Sequence, residues 1–447
     1  MAGREGVGAT PHRRNAIGIA MSLISRVAGT RIVARLGLRR PIERTVSRVT
    51  RAGFQTAGLA NRAFAATRTL TAASRPAPAG ERGVFDLTMT EDQQLIRDTV
   101  AEFAAEQLRP IAADADAKCE APQGVLSMAA DLGITAIGVP EELGGVGTER
   151  STVTNVLVAE ALGRGDLGLA VACLAPAAVS TALVLWGDET QQATYLPSFV
   201  GENVPGAALA IQEPGALFDP FSLRTKAYRG SNGFELTGVK SLVPRAASAE
   251  LFIVAADVDD RGPALFVVES GSAGITVEAE PAMGLRAAGT GRLVLDKVKV
   301  PAGALLGAGV STVYSECVRL ARLGWCALAV GTGQAVLDYV IPYVNERVAF
   351  GEPVSHRQGV AFKVADIGIE LEGMRLVTLR AASRAEQGRP FARELALARK
   401  LCADKGMAIG SDGVQLLGGH GYVTDHPVER WYRDLRVIGV ADGVVLV

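Results

Sequence analysis

The chain has 447 residues, of which 48% are hydrophobic and 21% are charged, a composition that indicates a globular protein with more than one hydrophobic core. Its formal net charge of −1 gives no electrostatic reason to expect a nucleic-acid partner. The five cysteines form no C-x-x-C pair and the four histidines form no H-E-x-x-H motif, so the sequence predicts reduced thiols in an intracellular protein, no metal site and no membrane span.

Residues 1–84 differ from the rest of the chain. They contain many arginines, no lysine and few acidic residues, and residues 21–49 place apolar side chains at helical spacing with arginines between them. This pattern is typical of a targeting segment, of a helix on an anionic membrane surface, or of a solvated or neighbour-packed arm, and we favour the last. We expect residues 16–60 to form an amphipathic helix that holds the protein at a membrane or a partner, and residues 72–83 to form a linker.

Residues 85–205 follow as a predicted helical domain. Thr90 precedes an amphipathic run with acidic residues in its first turn, which is the pattern of an N-capped helix. Three more helical stretches continue to about residue 203, and the glycine- and proline-rich segment GVPEELGGVG, at 138–147, connects two of them.

Residues 206–311 change to short β-like runs separated by turn residues, which predicts an antiparallel β sandwich or barrel. The helical period returns in residues 312–447, where long amphipathic stretches predict a four-helix-bundle-like domain. The predicted fold is therefore a multi-domain α+β protein with a β domain between two helical domains.

Two segments of the last domain combine charged, aromatic and glycine residues. ERVAFGEPVSHRQ, at 346–358, ends one helix and begins the next, and in isolation Arg347 is explained as a cation that complements a helix C-terminus. GVQLLGGHGYVTDHPVERWYRD, at 413–434, contains a turn in which Gly418 and Gly419 allow the backbone to approach a ligand such as a phosphate. Taken alone, neither segment distinguishes binding from structure.

In this order and spacing, the two segments resemble those of the acyl-CoA dehydrogenase family. WGDETQQATYLP, EPGALFD and MGLRAAGTGRLVLDKVKVP strengthen the resemblance, which extends from about residue 88 to residue 443. It implies FAD between the domains and α,β-dehydrogenation of an acyl-CoA thioester in the breakdown of fatty acids or related acyl groups. In that reaction a carboxylate removes the α-proton while the flavin takes the β-hydrogen as hydride.

The resemblance also implies partners and a compartment. We expect a homo-oligomer, either a dimer or a tetramer, that passes electrons to an electron-transfer flavoprotein or an equivalent acceptor. We expect it in the cytoplasm of a bacterium or in the mitochondrial matrix of a eukaryote, with peripheral membrane contact through residues 1–84 as an alternative.

Carried over motif by motif, the resemblance assigns the site residues. Those that would contact FAD are Gln212, Arg347, Phe350 and Gln358, and those that would reach the ADP part of a neighbouring subunit's FAD are Gln415, Gly418 and Gly419. The residues at the substrate end would be Phe218, Arg322 and Gly443, and the catalytic base would be Asp442.

Asp442 stands where most relatives have a glutamate followed by Gly-Thr, and here the same register gives Asp442-Gly443-Val444. The other position that relatives use for the base is Ala321, so Asp442 is the one matching acid. An aspartate reaches about 1.5 Å less than a glutamate, and a misplacement of about 1 Å can lower a rate on the order of a hundredfold. Either the backbone compensates, or the chemistry differs, or the acid is vestigial, and a helix-capping aspartate is the structural alternative.

Other positions depart from the family pattern as well. Gln212 replaces a threonine that contacts the flavin, Phe218 replaces a serine near the substrate, and Leu242-Val243-Pro244 replaces the usual Trp-Ile-Thr at the flavin edge. Two alternatives to a dehydrogenase therefore stay open. One is a catalytically degenerate subunit of a mixed oligomer, and the other is a flavin oxidase similar to nitroalkane-oxidising relatives, which carry aspartate at the base position.

Overall fold

The computed structural model describes residues 88–137, 139, 151–200, 203–259 and 261–445. The chain divides into two units, residues 1–84 and residues 85–447, and all described residues belong to the second. The amphipathic extension predicted for residues 1–84 lies outside the described residues, as does the connection at 138–147 apart from Val139.

The first part of the described chain is helical. Its α-helices are α1 Glu91–Phe103, α2 Ala112–Lys118, α3 Gln123–Asp131, α4 Thr152–Gly165, α5 Leu167–Trp186 and α6 Glu189–Tyr195. Thr90 caps α1, as predicted: its Oγ1 accepts from the Gln93 backbone N–H at 3.2 Å, and the Gln93 Oε1 accepts from the Thr90 N–H at 3.1 Å. This reciprocal capping box satisfies N–H groups that the first helical turn leaves without a partner.

The middle of the chain forms a seven-stranded sheet with the strand order β1-β4-β2-β3-β7-β6, in which β5 also pairs with β4. The strands are β1 Ala207–Ala210, β2 Lys226–Arg229, β3 Gly233–Val243, β4 Leu251–Val258, β5 Gly262–Glu269, β6 Ile275–Ala279 and β7 Gly291–Pro301. The pairs β2–β3, β3–β7, β4–β5 and β6–β7 are antiparallel, as predicted, whereas β1 and β2 each pair in parallel with β4. The parallel pairs join strands that other strands separate in the sequence, and the periodicity of a single strand carries no information on such pairing.

The chain then returns to helices. They are α7 Ser311–Glu346, α8 Gln358–Glu386, α9 Ala392–Leu417 and α10 Val428–Leu435, and a short hairpin of β8 Val348–Ala349 and β9 Glu352–Pro353 separates α7 from α8. Helix α7 packs on α8 and α9 and also on α4, so helices from both sides of the sheet in the sequence share one core. At the crossing of α4 and α7 a Cβ on Gly331 would lie 2.0 Å from the Glu160 carbonyl oxygen, so only glycine fits there. The predicted order of a β domain between two helical parts is confirmed, and the domain boundaries at 85, 206 and 312 stay a prediction.

Helices α5 and α7 are each long and apolar enough to cross a membrane, so length and composition do not support the sequence prediction of no membrane span. In α5, however, 72% of the most apolar stretch is buried inside the described part of the protein, and in α7 the share is 61%. The sheet has its own apolar core, and a further core cluster joins α5, the sheet and the start of α7. The burial is therefore that of core helices, and the two helices meet the sheet along one seam.

Candidate active site

A cavity lies where the sheet meets helices α4, α5 and α7, and the end of the described chain forms part of its wall. It contains about 1540 Å³ of empty space, including the part that opens to solvent. Leu209 of β1 and Leu242 of β3 line it from the sheet, and Ala321 and Gly324 line it from α7. Because most of the lining is apolar, the cavity suits a largely apolar ligand that a few polar groups orient.

Helix α5 gives the cavity its length. Val171, Ala175, Ala178, Ala182 and Trp186 all line it, and their spacing of three or four residues places them on one face of the helix. From the first to the last of these positions the helix rises by about 22 Å. The three alanines leave space beside the helix, so the cavity extends along it as a groove.

The closing turn, which we define as residues 441–444, brings Asp442 to the wall of the cavity. Asp442 has a φ of 53° and Gly443 a φ of 98°, so both lie in the left-handed region. Aspartate enters that region more readily than most side chains, and glycine has no Cβ that opposes it. A Cβ on Gly443 would also lie 2.5 Å from Pro220 Cδ and 2.6 Å from Arg322 Nη2. The Asp-Gly sequence thus fits both the conformation of the turn and the space around it.

Two arginines hold the closing turn from the helical side. The Nε of Arg322, on α7, donates to the carbonyl oxygen of Asp442 at 2.9 Å. Arg399, on α9, is 4% exposed and donates from Nη2 to the carbonyl oxygens of both Ala441 and Gly443. Three successive carbonyl groups of the turn therefore accept hydrogen bonds from cationic side chains, which are stronger than neutral ones.

The sheet side holds the same turn through its N–H groups. The Gly443 N–H donates to Oε1 of Gln212 at 3.3 Å, and the Val444 N–H donates to the carbonyl oxygen of Phe218 at 3.2 Å. The structure thus brings together these predicted site residues: Gln212, Phe218, Arg322, Asp442 and Gly443. Their roles toward cofactor and substrate stay predictions.

The carboxylate of Asp442 has a different partner from its backbone. Its Oδ2 accepts a hydrogen bond of 2.8 Å from the indole Nε1–H of Trp325, on α7. Burial raises the pKa of the Asp442 carboxyl, and Arg399, the Trp325 hydrogen bond and Arg322 oppose that rise. An acid with a raised pKa is a stronger base once it is ionised, so this carboxylate is suited to accept a proton.

Sequence reasoning missed both Trp325 and Arg399. The signal for Arg399 was its position in α9 on the same face as Leu395, Ala398 and Cys402, all of which are buried. A cation on an apolar helix face requires an acceptor in the core, which here is the closing turn. No comparable signal was available for Trp325, because a tryptophan on an apolar helix face is explained by packing alone.

A buried ion pair supports the sheet side of the cavity next to Gln212. Lys240 of β3 is fully buried, and its Nζ lies 2.9 Å from Glu213 Oε1 and donates to the Ile211 carbonyl at 3.2 Å. Burial lowers the pKa of Lys240 to about 8, against the attraction of Glu213. The Glu213 carboxylate also accepts from the Thr225 N–H at 2.9 Å. The pair therefore fixes the chain on both sides of Gln212.

The segment predicted to lie at the flavin edge, residues 242–244, comes just after Lys240 in the sequence. Leu242 and Pro244 both line the cavity, and Leu242 has a φ of 51°. The Glu280 carboxylate accepts from the Ser241 hydroxyl at 2.6 Å and from the Leu242 N–H at 2.5 Å. This anchor fixes an unusual backbone conformation on the cavity wall, where an aliphatic side chain and a proline stand at the positions that are Trp and Thr in the family pattern.

The remaining predicted cofactor residues lie elsewhere. Phe350 is 97% exposed, and Arg347, Gln358, Gln415, Gly418 and Gly419 are exposed as well; none of the six lines the cavity. The hydroxyl of Tyr343, on α7, donates to the Leu417 carbonyl at 3.3 Å and pairs with His420 Nδ1 at 2.8 Å. The segments that contain these six residues therefore meet at one end of the helices, away from the cavity that Asp442 lines. We call this region the exposed end.

The end of the segment at 413–434 also has a structural role. Arg430 Nε lies 3.0 Å from Asp166 Oδ2 between α10 and the start of α5, and Asp434 Oδ1 accepts from the Leu285 N–H at 2.7 Å. Burial raises the pKa of Asp434 to about 8. These contacts join α10 to the first helical part and to the sheet, so this motif holds the cavity walls together.

Three family models match consecutive parts of the chain. They are the acyl-CoA dehydrogenase N-terminal domain over residues 90–202, the middle domain over 208–298 and the C-terminal domain over 307–445. A relative, the short/branched chain specific acyl-CoA dehydrogenase, mitochondrial, of Rattus norvegicus, is 33% identical over 364 residues, which cover 80% of this chain and 83% of the relative.

Two solved structures resemble the chain in fold, each with a TM-score of 0.75 and 28% sequence identity. One is butyryl-CoA dehydrogenase from Megasphaera elsdenii, and the other is described as electron transferring flavoprotein of Acidaminococcus fermentans. Each match covers 81% of this chain and 97% of that chain.

Proposed function

The chain belongs to the acyl-CoA dehydrogenase family, and from this premise we propose that it is an FAD-dependent enzyme that forms a double bond between the α and β carbons of an acyl-CoA thioester. The observation that carries the proposal is the position of Asp442, an acid on the wall of a long apolar cavity. The α-proton of a thioester is weakly acidic, and a buried carboxylate with a raised pKa is suited to remove it.

The cavity suits a flavin ring together with an acyl chain. Its extent along α5 and its apolar lining support this assignment. Gln212, Ser241 and Leu242 would hold the ring from the sheet side, and Ala321 and Gly324 leave space for it or for the thioester beside α7. When bound, FAD supplies the hydride acceptor that no side chain offers.

The exposed end supports a homo-oligomer, a dimer or a tetramer. Arg347, Phe350 and Gln358 lie away from the cavity of their own chain, as do the glycines of the turn after α9. We propose that they contact the FAD of a neighbouring subunit, with Gln415, Gly418 and Gly419 at its ADP part. A cation, an amide and open glycine backbone suit the phosphates of such a group.

The closing turn helps to choose between a dehydrogenase and its two alternatives, a degenerate subunit and a flavin oxidase. A degenerate subunit has no need to fix a carboxylate at the cavity wall, whereas here the turn is held from α7, α9 and the sheet. An oxidase similar to the nitroalkane-oxidising relatives would keep this aspartate, and it would differ by producing hydrogen peroxide without a protein acceptor. We therefore place the dehydrogenase first and the oxidase second.

The electron acceptor and the compartment complete the proposal. We propose an electron-transfer flavoprotein or an equivalent acceptor, which the likeness to a structure described by that name supports. We propose the bacterial cytoplasm or the mitochondrial matrix as the compartment, in line with a relative that is named mitochondrial. Membrane contact through residues 1–84 is a separate proposal, which liposome co-sedimentation of full-length and Δ1–84 protein would test.

The test is anaerobic reduction of the bound flavin by a panel of acyl-CoA thioesters, followed by absorbance. We expect wild-type protein to be yellow and to bleach with at least one thioester. Asp442→Asn keeps the left-handed turn but has no basic oxygen, so we expect the bleaching rate to fall by about three orders of magnitude. Asp114→Asn, on the exposed face of α2, is the matched control and should bleach like wild type. A colourless wild-type protein, or unchanged bleaching in Asp442→Asn, would contradict the proposal.

A further inference from the structure

The carboxylate and the backbone of Asp442 are held by different groups. Both arginines of the closing turn donate to carbonyl oxygens, and no salt bridge to the Asp442 carboxylate occurs in the described part of the chain. The one hydrogen bond to that carboxylate from a described residue comes from Trp325 Nε1, at 2.8 Å to Oδ2. The orientation of the carboxylate therefore depends on Trp325.

The backbone of the closing turn is held in place, so movement of the backbone cannot reorient the Asp442 carboxylate. The φ of 53° at Asp442 is fixed by hydrogen bonds on both sides of the turn. Arg322 and Arg399 donate to the turn from the helices, and Gln212 Oε1, just after β1, accepts from the Gly443 N–H. What remains is rotation of a short side chain about two bonds. A hydrogen bond to one oxygen removes that rotation and leaves the other oxygen, Oδ1, without a hydrogen bond from a described residue.

We infer that Trp325 is a positioning residue for Asp442, in which the indole N–H fixes Oδ2 so that Oδ1 receives the substrate's α-proton. This inference rests on the proposed function. The indole N–H is a donor only and does not titrate in the relevant range, so Trp325 orients the base and relays no proton. The arrangement explains how a carboxylate one methylene shorter than glutamate is held in a defined position.

The pH dependence of proton removal follows from the groups that face Asp442. Arg322 on α7 and Arg399 on α9 are the cations, and Tyr314 and Cys317, also on α7, are neutral near pH 7 because burial raises the pKa of each. Burial raises the pKa of Asp442, and the Trp325 hydrogen bond lowers it. Without that bond the pKa rises further, so the active carboxylate form is lost at a higher pH as the pH falls.

The experiment replaces Trp325 by phenylalanine, which keeps an aromatic ring and removes the donor. We expect the rate of flavin reduction near pH 7 to fall about tenfold, and the acid limb of its pH profile to move up by about one pH unit. Acyl-CoA affinity, from the change in flavin absorbance on binding, should stay within about threefold of wild type. The matched control is Trp431→Phe, because the Nε1 of Trp431 is buried without a hydrogen-bond partner in the described part of the chain.

A second readout needs no substrate. The infrared absorbance of the protonated carboxyl, taken as wild type minus Asp442→Asn, should appear at a higher pH in Trp325→Phe than in wild type. An unchanged acid limb and infrared titration, or an effect confined to acyl-CoA affinity, would overturn the inference and leave Trp325 as packing. If no thioester reduces wild-type flavin, the proposed function fails by itself, and the infrared titration still decides whether Trp325 controls Asp442.

Discussion

The closing turn and the exposed end contain the two groups of residues that the resemblance assigned to one reaction, and they differ in what completes them. The closing turn is complete within one chain: α7, α9 and the sheet each donate to it or accept from it. The exposed end carries Phe350 at 97% exposure and offers open glycines and cations to solvent. One chain by itself therefore fixes the carboxylate of Asp442, whereas the role that we propose for the exposed end in FAD binding requires a second copy of the chain.

The largest expected effect comes from the buried Lys240–Glu213 ion pair, which supports the sheet side of the cavity and of the closing turn. Lys240→Met leaves Glu213 buried without its counter-charge, and we expect the free energy of unfolding to fall by about 3 kcal/mol. Urea denaturation measures it. Lys226→Met breaks a partly exposed pair with Asp257 and should cost less than about 1 kcal/mol. Equal losses in the two variants would mean that the buried pair adds nothing to the sheet side of the turn.

The next largest effect is expected from a substitution at Arg399, which tests whether the closing turn is held within one chain. Arg399→Met removes the donor to the Ala441 and Gly443 carbonyls, so the position of Asp442 relaxes. We expect the rate of flavin reduction to fall about a hundredfold while the bound flavin per chain stays constant. The control is Arg393→Met, an exposed cation on α9. Loss of flavin in step with activity would refute the division between the two regions.

The smallest effect is expected from a substitution at Arg347, in the exposed end. Arg347→Ala removes an exposed cation that we propose contacts a neighbour's FAD, so the dissociation constant for FAD should rise about tenfold. Flavin titration measures this change, and light scattering shows whether the assembly persists. Refilled with excess FAD, the variant should reduce its flavin at the wild-type rate. Arg389→Ala, exposed after α8, is the control, and equal FAD affinity in both variants would show that Arg347 takes no part.

Much of the fold could be predicted from local pattern. The N-cap at Thr90 and the short β runs that follow the first helices are both local signals, and both are confirmed. The parallel pairing of β1 and β2 with β4 could not be predicted, because it depends on contacts between distant segments. The site divides in the same way: the motif located Asp442, whereas Trp325 reaches it across 117 positions of sequence through packing of α7.

Helix α5 raises a question about how the polypeptide is made. It has no charged residue over 20 positions, and one of its faces is covered by α7, which begins 125 residues after α5 ends (311 − 186). At typical synthesis rates a ribosome needs on the order of ten seconds to add that length. During this interval the nascent protein displays a segment that the secretion machinery or a chaperone could recognise. Truncated products that stop before residue 311 should accordingly be aggregation-prone.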